Sequence, residues 1–306
     1  MHVGFIGLGN MGRPMCANLL RAGYVCTVFD LNPAAADELV ALGATLASDI
    51  AEAATAADVL VTMLPGPPQV LDAMLGDHGA LDAMRPGSTW LDMSTSSHAI
   101  SRRIQDRAEA KDVSVIDAPV AGMTKGAIAG TLQIMAGGTP AVFERVRPLL
   151  EVMGDPERVQ LVGPNGAGYA VKVLLNLMWF AHEVITAEVL TMGARAGVDL
   201  NTLHEVLTAG PANSAMLQHD ILPLLRDGDY DDSFALGLVC KDLGLAVDLG
   251  RDGGTPVELT ALVEQVFRRA LAHYGPRAGE LSAVKLYEDA TKTPLRFTKG
   301  AALAPV

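Results

Sequence analysis

The prediction of the fold starts from "HVGFIGLGNMGRPMCANLL", residues 2–20. An apolar run predicts a strand, the amphipathic pattern after it predicts a helix, and three glycines in G-x-G-x-x-G spacing lie between them. In this context the first glycine permits a tight turn and the second lets a pyrophosphate approach the backbone. The third lets the helix pack against the strand, and the helix N-terminus favours phosphates. The stretch therefore predicts a dinucleotide site, with a glycine-rich turn that binds no ligand as the alternative. The predicted cofactor contacts are Gly7, Gly9, Asn10, Met11 and Gly12.

The second predicted strand, "VCTVFD", ends at Asp30, 23 residues after Gly7. A carboxylate at this place accepts hydrogen bonds from the adenosine ribose hydroxyls, whereas the extra phosphate of NADP needs a cation. No Lys or Arg occurs between Arg21 and Arg85, so a phosphate beside Asp30 would have no sequence-local countercharge. We therefore predict NAD in preference to NADP, with an Arg supplied from a distant part of the fold as the alternative.

Strand and helix patterns alternate through the first half of the chain, which is typical of a largely parallel sheet with helices on both faces. After about Gly163 the strand signal stops, and residues 169–196 predict one helix of roughly 40 Å. The sequence therefore predicts an α/β Rossmann-type N-terminal domain, a long interdomain helix and an all-α C-terminal domain. The predicted boundaries are 1–163 for the dinucleotide-binding domain, 164–196 for the interdomain helix, 197–297 for the helical substrate or oligomerisation domain, and 298–306 for a flexible tail.

Composition and charge narrow the possible partners. The 306 residues carry a net charge of −12, which disfavours nucleic acid and anionic membrane. No basic leader precedes the first predicted strand, and no apolar run approaches the roughly 20 residues of a membrane span. Three cysteines without CxxC spacing argue against a disulfide framework or structural zinc and agree with a reducing cytosol. We therefore expect a cytoplasmic protein that needs no metal.

Two further segments follow predicted strands, where the loops that line a ligand crevice are expected. "TMLPGPPQV", residues 62–70, makes Leu64 and Pro65 predicted walls of the cofactor site. "APVAGMTKGA", residues 118–127, offers little besides bare backbone and one lysine. The second segment is either a tightly packed turn or a loop whose backbone contacts a ligand.

Lysine is scarce in this chain, and two lysines stand out. "VKVLLN" places Lys172 and Asn176 four residues apart on the long predicted helix, and hence one turn apart on one face. An ammonium and an amide on one face suit a substrate with a hydroxyl and a carboxylate, while a surface lysine beside a polar residue is the alternative. "CKDLGLAVD" holds Lys241 and Asp242 in a second apolar helix, where an exposed pair is the alternative.

As a set, these residues resemble the β-hydroxyacid dehydrogenase family, which includes 3-hydroxyisobutyrate dehydrogenase, tartronate semialdehyde reductase and 2-(hydroxymethyl)glutarate dehydrogenase. Four motifs in order carry the resemblance, from about Val3 to Thr293: "GFIGLGNMG", "LDMSTSS" with "DAPVAGMTKGAIAGTLQIMAGG", "GAGYAVKVLLN" and "KDLGLA".

The resemblance implies a role for each matching residue. Lys172 matches the catalytic lysine of the family, and Asn176 matches the residue that holds the substrate beside it. Thr95 matches a residue near the nicotinamide ribose, and Lys241 matches a lysine that approaches the cofactor. The segment with Ala121, Gly122 and Met123 matches the loop whose backbone N–H groups hold the substrate carboxylate. The family usually has S-G-G there, and K-x-x-N-N where this chain has Leu175, so we expect an active enzyme with a reshaped substrate pocket.

The resemblance implies an NAD-linked oxidoreductase that interconverts a small 3-hydroxy acid and its semialdehyde or 3-oxo acid, acting as a homodimer or homotetramer. A lysine suits the reaction because burial favours its neutral form, while its ammonium form stabilises developing oxyanion charge. Two alternatives stay open. One is an imine- or other carbonyl-reducing member of the same superfamily, and the other is a non-catalytic dinucleotide-binding module.

Overall fold

The computed structural model describes residues 1–231 and 234–298. The chain divides into two compact units, one spanning Met1–Lys172 and the other beginning at Val173. The long helix contributes to both units, and the boundaries drawn from the sequence at 163 and 196 stay predictions. Thr298, the first residue of the predicted tail, donates its N–H to Asn201 Oδ1 (3.0 Å), and residues 299–306 lie outside the described part of the chain.

The first unit contains a nine-stranded sheet in the order β3-β2-β1-β4-β5-β6-β8-β7, with β9 beside β8. Strands β1 to β6 run parallel in the Rossmann order, because helical segments after each of β1 to β5 return the chain across a sheet face. Strand β8 is antiparallel to β6 and β7 and parallel to β9. The Rossmann-type domain is thus confirmed. The two-residue strands β3 and β7 were not predicted as separate strands from the sequence. The strands are β1 His2–Ile6, β2 Val25–Phe29, β3 Thr45–Leu46, β4 Val59–Thr62, β5 Thr89–Asp92, β6 Ser114–Asp117, β7 Val120–Ala121, β8 Leu132–Gly137 and β9 Gly154–Gly163.

Helices cover both faces of this sheet, so the central strands are buried on both sides. On one face the buried core includes Phe5 and Leu150, and on the other it includes Leu60 and Trp90, all with no exposed surface. Two apolar layers therefore hold the carboxyl ends of the strands at one edge. The helices of this unit are α1 Gly12–Arg21, α2 Asp37–Ala41 after a 3-10 turn at Pro33–Ala36, α3 Ile50–Thr55, α4 Pro67–Leu75, α5 Ala80–Ala83, α6 His98–Glu109, α7 Met123–Ala129 and α8 Pro140–Met153, followed by α9 Ala167–Arg195, which continues into the second unit.

The described residues of the second unit form helices around an aromatic cluster. The ring of Phe180 stacks on Trp179 at 5.1 Å between centroids and lies 5.4 Å from Phe267. The predicted all-α C-terminal domain is confirmed for the described part of this unit. After α9, its helices are α10 Leu200–Ala209, α11 Leu222–Asp227 after a π turn at Met216–Asp220, α12 Leu236–Asp252, α13 Glu258–Tyr274 and α14 Ser282–Thr291.

Helix α9 has 29 residues and is long and apolar enough to cross a membrane by length and composition alone, which the sequence reading did not anticipate. This is weak evidence for a span, because the core helix of a globular protein passes the same test. Helix α9 also buries Asn176 and Glu183, which are 1% and 0% exposed. Polar groups buried in this way fit a helix packed against protein.

Candidate active site

The glycine motif forms a cradle at the carboxyl end of β1, beside the neighbouring strand β4. Gly7 has φ +95°, and a Cβ on it would lie 2.3 Å from the carbonyl oxygen of Met63. A Cβ on Gly12 would lie 1.9 Å from the carbonyl oxygen of Gly7, so these two glycines are needed for the turn itself. A Cβ on Gly9 would meet nothing within 4 Å, which leaves open space at the position where a pyrophosphate approaches the backbone. The cradle therefore fits a dinucleotide.

The start of α1 and the end of β2 complete this side of the cradle. Helix α1 begins after Met11, the side chain of which makes no capping hydrogen bond, and its first turn contains no acidic residue. The N-terminus is thus available to an anion. Asn10 is exposed and Met11 is half-buried at the same place. Asp30 accepts the N–H of Leu8 on Oδ2 (2.7 Å) and that of Asn32 on Oδ1 (2.8 Å), so its half-buried carboxylate is held beside the glycine turn.

The segments after β4 and β5 form the other wall. Leu64 is half-buried and Pro65 is exposed, and Thr95 is half-buried. The N–H of Leu64 donates to Ser94 Oγ (2.8 Å), which ties the two segments together next to Thr95. The predicted cofactor residues of the first unit thus all lie at the carboxyl ends of β1, β2, β4 and β5, around the β1–β4 position where the strand order reverses.

A buried carboxylate beneath this wall was missed by the sequence reading. Asp92, the last residue of β5, accepts the hydroxyls of Ser94 (2.6 Å) and Thr62 (2.7 Å) on Oδ1 and that of Tyr169 (2.5 Å) on Oδ2. Burial raises the pKa of Asp92, while these three hydroxyls oppose the shift. The only sequence signal was an acid at the end of an apolar strand.

Asp117, at the end of β6, is a second buried acid that the sequence reading missed. It accepts the N–H of Gly166 on Oδ1 (2.6 Å) and that of Tyr169 on Oδ2 (3.0 Å). Burial raises the pKa of Asp117 to about 6, against the lowering effect of these backbone donors. Asp92 and Asp117 are register partners in the sheet, so two acids meet the first turn of α9 together.

The segment predicted as the substrate loop is only partly a loop, and this corrects the sequence reading. Ala121 ends β7, Gly122 turns the chain with φ +124°, and helix α7 begins at Met123. The helix forms because Gly122 supplies the turn and the following residues include good helix formers such as Ala and Lys. Gly122 is exposed, and Met123 is 40% exposed with φ +54°. The bare backbone predicted here therefore belongs to the start of a short helix.

Lys172 and Asn176 both lie on α9, one turn apart as predicted. Lys172 is the last residue of the first unit and is half-buried, and Asn176, in the second unit, is 1% exposed. Neither side chain thus lies on a fully solvated face of the helix.

Asp242 links two predicted site residues in the second unit. Its buried carboxylate accepts Asn176 Nδ2 on Oδ2 (2.6 Å), and Oδ1 lies 3.0 Å from the Lys241 ammonium. The exposed pair that the sequence left open is therefore wrong for Asp242, whose side chain is 0% exposed, while that of Lys241 is 24% exposed. The apolar residues around "KD" were the only signal that this acid lies inside.

Comparison with known proteins identifies the family of the chain. Residues 2–163 match the family model described as the NAD binding domain of 6-phosphogluconate dehydrogenase. Residues 166–287 match the one described as NAD-binding of NADP-dependent 3-hydroxyisobutyrate dehydrogenase. The 2-(hydroxymethyl)glutarate dehydrogenase of Eubacterium barkeri is 37% identical, over 95% of this chain and 96% of its own. The chain belongs to the β-hydroxyacid dehydrogenase family.

Two further members support the same assignment. The NAD-dependent L-serine dehydrogenase of Pseudomonas aeruginosa is 36% identical, over 95% of this chain and 99% of its own. The structure of Mycobacterium tuberculosis 3-hydroxyisobutyrate dehydrogenase with L-serine has a TM-score of 0.85 at 32% identity, covering 93% of this chain and 98% of the other. This β-hydroxyacid dehydrogenase is therefore an NAD(P)-dependent oxidoreductase, and the predicted family, fold and enzyme class are confirmed.

Proposed function

We propose that this enzyme oxidises the primary alcohol of a 2-substituted 3-hydroxypropanoate to the semialdehyde with NAD, and catalyses the reverse reduction. The relatives above are named for 2-(hydroxymethyl)glutarate, L-serine and 3-hydroxyisobutyrate. These compounds share the group HO–CH2–CH(R)–COO⁻ and differ in R. That shared group is the observation that carries the proposal, since this chain offers a lysine, an amide and backbone N–H groups suited to its two polar ends.

The proposed roles follow from the chemistry of these groups. In oxidation, Lys172 removes the proton of the alcohol, and in reduction its ammonium returns a proton to the forming alkoxide. Asn176 orients the hydroxyl, with its amide held by Asp242 at 2.6 Å. The backbone N–H groups of Gly122 and Met123 bind the carboxylate. The bound dinucleotide supplies the acceptor for the hydride that leaves the alcohol carbon.

NAD is proposed in preference to NADP. Asp30 is held by two backbone N–H groups, and its carboxylate would repel a 2′-phosphate. Arg13, at the start of α1, already forms an ion pair with Glu38 on α2 at 3.7 Å, which weakens it as a countercharge for such a phosphate. A lower kcat/KM for NADH than for NADPH would overturn this preference.

The test is NADH formation with L-serine, 3-hydroxyisobutyrate and 2-(hydroxymethyl)glutarate at neutral and alkaline pH. We expect turnover with at least one of them. Replacing Lys172 by Ala should lower kcat by about 10²- to 10⁴-fold while the Kd for NADH is retained. The control is Lys111→Ala, which removes a surface lysine paired with Asp82 and should leave kcat unchanged. Tight NADH binding without turnover of any alcohol would favour the non-catalytic module, and turnover of cyclic imines alone would favour the imine-reducing branch.

Assembly and location complete the proposal. We propose a homodimer or homotetramer, which sedimentation velocity of the purified protein tests directly. A cytoplasmic location agrees with Cys16, Cys26 and Cys240, which are all buried and free of disulfides. Localisation of a tagged chain in fractionated cells checks it.

A further inference from the structure

The helix turn that precedes the proposed catalytic lysine is fastened to the sheet by a distant carboxylate. Asp117 accepts the N–H groups of Gly166 (2.6 Å) and Tyr169 (3.0 Å), one on each oxygen. The first N–H groups of a helix have no partner within the helix, so this carboxylate caps α9 from a strand 49 to 52 residues away. Lys172 follows three residues after Tyr169, in the next turn.

Glycines line the seat of this carboxylate and let the helix approach closely. A Cβ on Gly168 would lie 2.3 Å from the carbonyl oxygen of Met135 and 2.7 Å from Asp117 Oδ2. A Cβ on Gly137 would also lie 2.7 Å from Asp117 Oδ2. Because a side chain at either position would push the helix and sheet apart, the start of α9 can occupy this place only with these glycines.

A second tie runs through the side chain of Tyr169. Its ring is 1% exposed, and its hydroxyl donates to Asp92 Oδ2 at 2.5 Å. The other oxygen of Asp92 accepts the hydroxyl of Ser94, which in turn accepts the N–H of Leu64. One buried carboxylate thus holds both the first turn of α9 and the wall of the cofactor cradle.

We propose that Tyr169 and Asp117 are positioning residues that set Lys172 relative to the Leu64 wall of the cofactor cradle. The inference rests on the proposed function, because it assigns a place to the lysine that acts in that reaction. Their effect on turnover passes through Lys172, since both hold the helix turn from which that side chain follows. Misplacing a reacting group by about 1 Å lowers turnover by up to about 100-fold.

The experiment is a double-mutant cycle between Tyr169→Phe and Lys172→Ala. Tyr169→Phe removes one hydroxyl and keeps the buried ring. We expect it to lower kcat by about 10- to 100-fold, with the Kd for NADH within about twofold of wild type. In the Lys172→Ala background the same change should cost less than about a further twofold, because the group being positioned is already gone.

A matched control separates positioning from stability. Val146→Ala truncates a fully buried residue of α8 in the same unit and should lower Tm without lowering kcat. If Tyr169→Phe fails to fold, Asp117→Asn, which keeps one acceptor oxygen, enters the same cycle. Wild-type kcat in the variant, or a full multiplicative loss in the double variant, overturns the inference. Absence of turnover by the wild type overturns the proposed function itself, so the two failures are distinguishable.

Discussion

Met123 holds a backbone conformation that favours glycine, and replacing it by Gly should stabilise the first unit. Its φ is +54°, and its side chain is 40% exposed, so little packing is lost with the side chain. The left-handed region costs a non-glycine residue about 1–2 kcal/mol. Glycine gives back about 0.4–1 kcal/mol of this through the greater freedom of the unfolded chain. The expected net gain is about 0.5–1 kcal/mol.

Two further methionine variants isolate the backbone effect. Met123→Ala also removes the side chain but keeps a Cβ, so it should leave the free energy of unfolding within about 0.5 kcal/mol of wild type. Met192→Gly replaces another exposed methionine inside α9 and should cost about 1 kcal/mol, because the helix interior disfavours glycine. The same change from Met to Gly is therefore expected to act with opposite sign at the two positions.

Urea unfolding followed by tryptophan fluorescence measures these differences. The chain has two tryptophans, Trp90 in the first unit and Trp179 in the second, so each unit has its own reporter. Met123→Gly should also raise the ratio of kcat/KM for 2-(hydroxymethyl)glutarate to that for L-serine. The R group of 2-(hydroxymethyl)glutarate is the larger of the two, and the variant removes a side chain beside the proposed carboxylate site. Equal free energies of unfolding for Met123→Gly and Met123→Ala would show that the backbone conformation at residue 123 does not limit stability.

Three further predictions concern buried or half-buried acids. Asp242→Asn should lower kcat/KM by about 10- to 100-fold, because it removes the charge that holds the Asn176 amide and the Lys241 ammonium, while Asp248→Asn on the exposed side of α12 should have no effect. Burial raises the pKa of Glu183 well above its usual 4.5, with Glu280 and Asp220 adding to the shift, so its contribution to stability falls as the pH rises from 4.5 towards the folded-state value. The free energy of unfolding of Glu183→Gln, relative to that of wild type, should therefore rise by at least about 1 kcal/mol between about pH 5 and about pH 8. Urea unfolding at both pH values measures this, and the same relative stability at both would contradict it. Asp30→Asn should raise the ratio of kcat/KM for NADPH to that for NADH by about tenfold, because the carboxylate that would repel the 2′-phosphate is gone. Steady-state kinetics with both cofactors measures the ratio, and the wild-type ratio in the variant would contradict the prediction.

Local features of the sequence were enough to predict the Rossmann-type fold of the first unit and most of its strands. The strand pattern, the spacing of Gly7, Gly9 and Gly12, and the position of Asp30 all act over short stretches, because backbone geometry at a strand–helix turn depends on neighbouring residues. The long helix was predicted for the same reason. The short helix α7 was missed because seven residues with two glycines nearby carry too weak a periodic signal.

The sequence was enough to predict a largely parallel sheet, the glycine turn, the long helix and the scarce lysines of the candidate site. Which buried acids hold the long helix and Asn176 in place became clear only from the folded chain. Asp117 meets the start of α9 across about 50 residues, and Asp242 meets Asn176 across 66. No local sequence pattern predicts such pairs, because the two partners are far apart in the sequence. Each carboxylate meets its donor only after folding has buried both groups. The left-handed backbone at Met123 was likewise decided by the turn at Gly122 and not by the residue that occupies it.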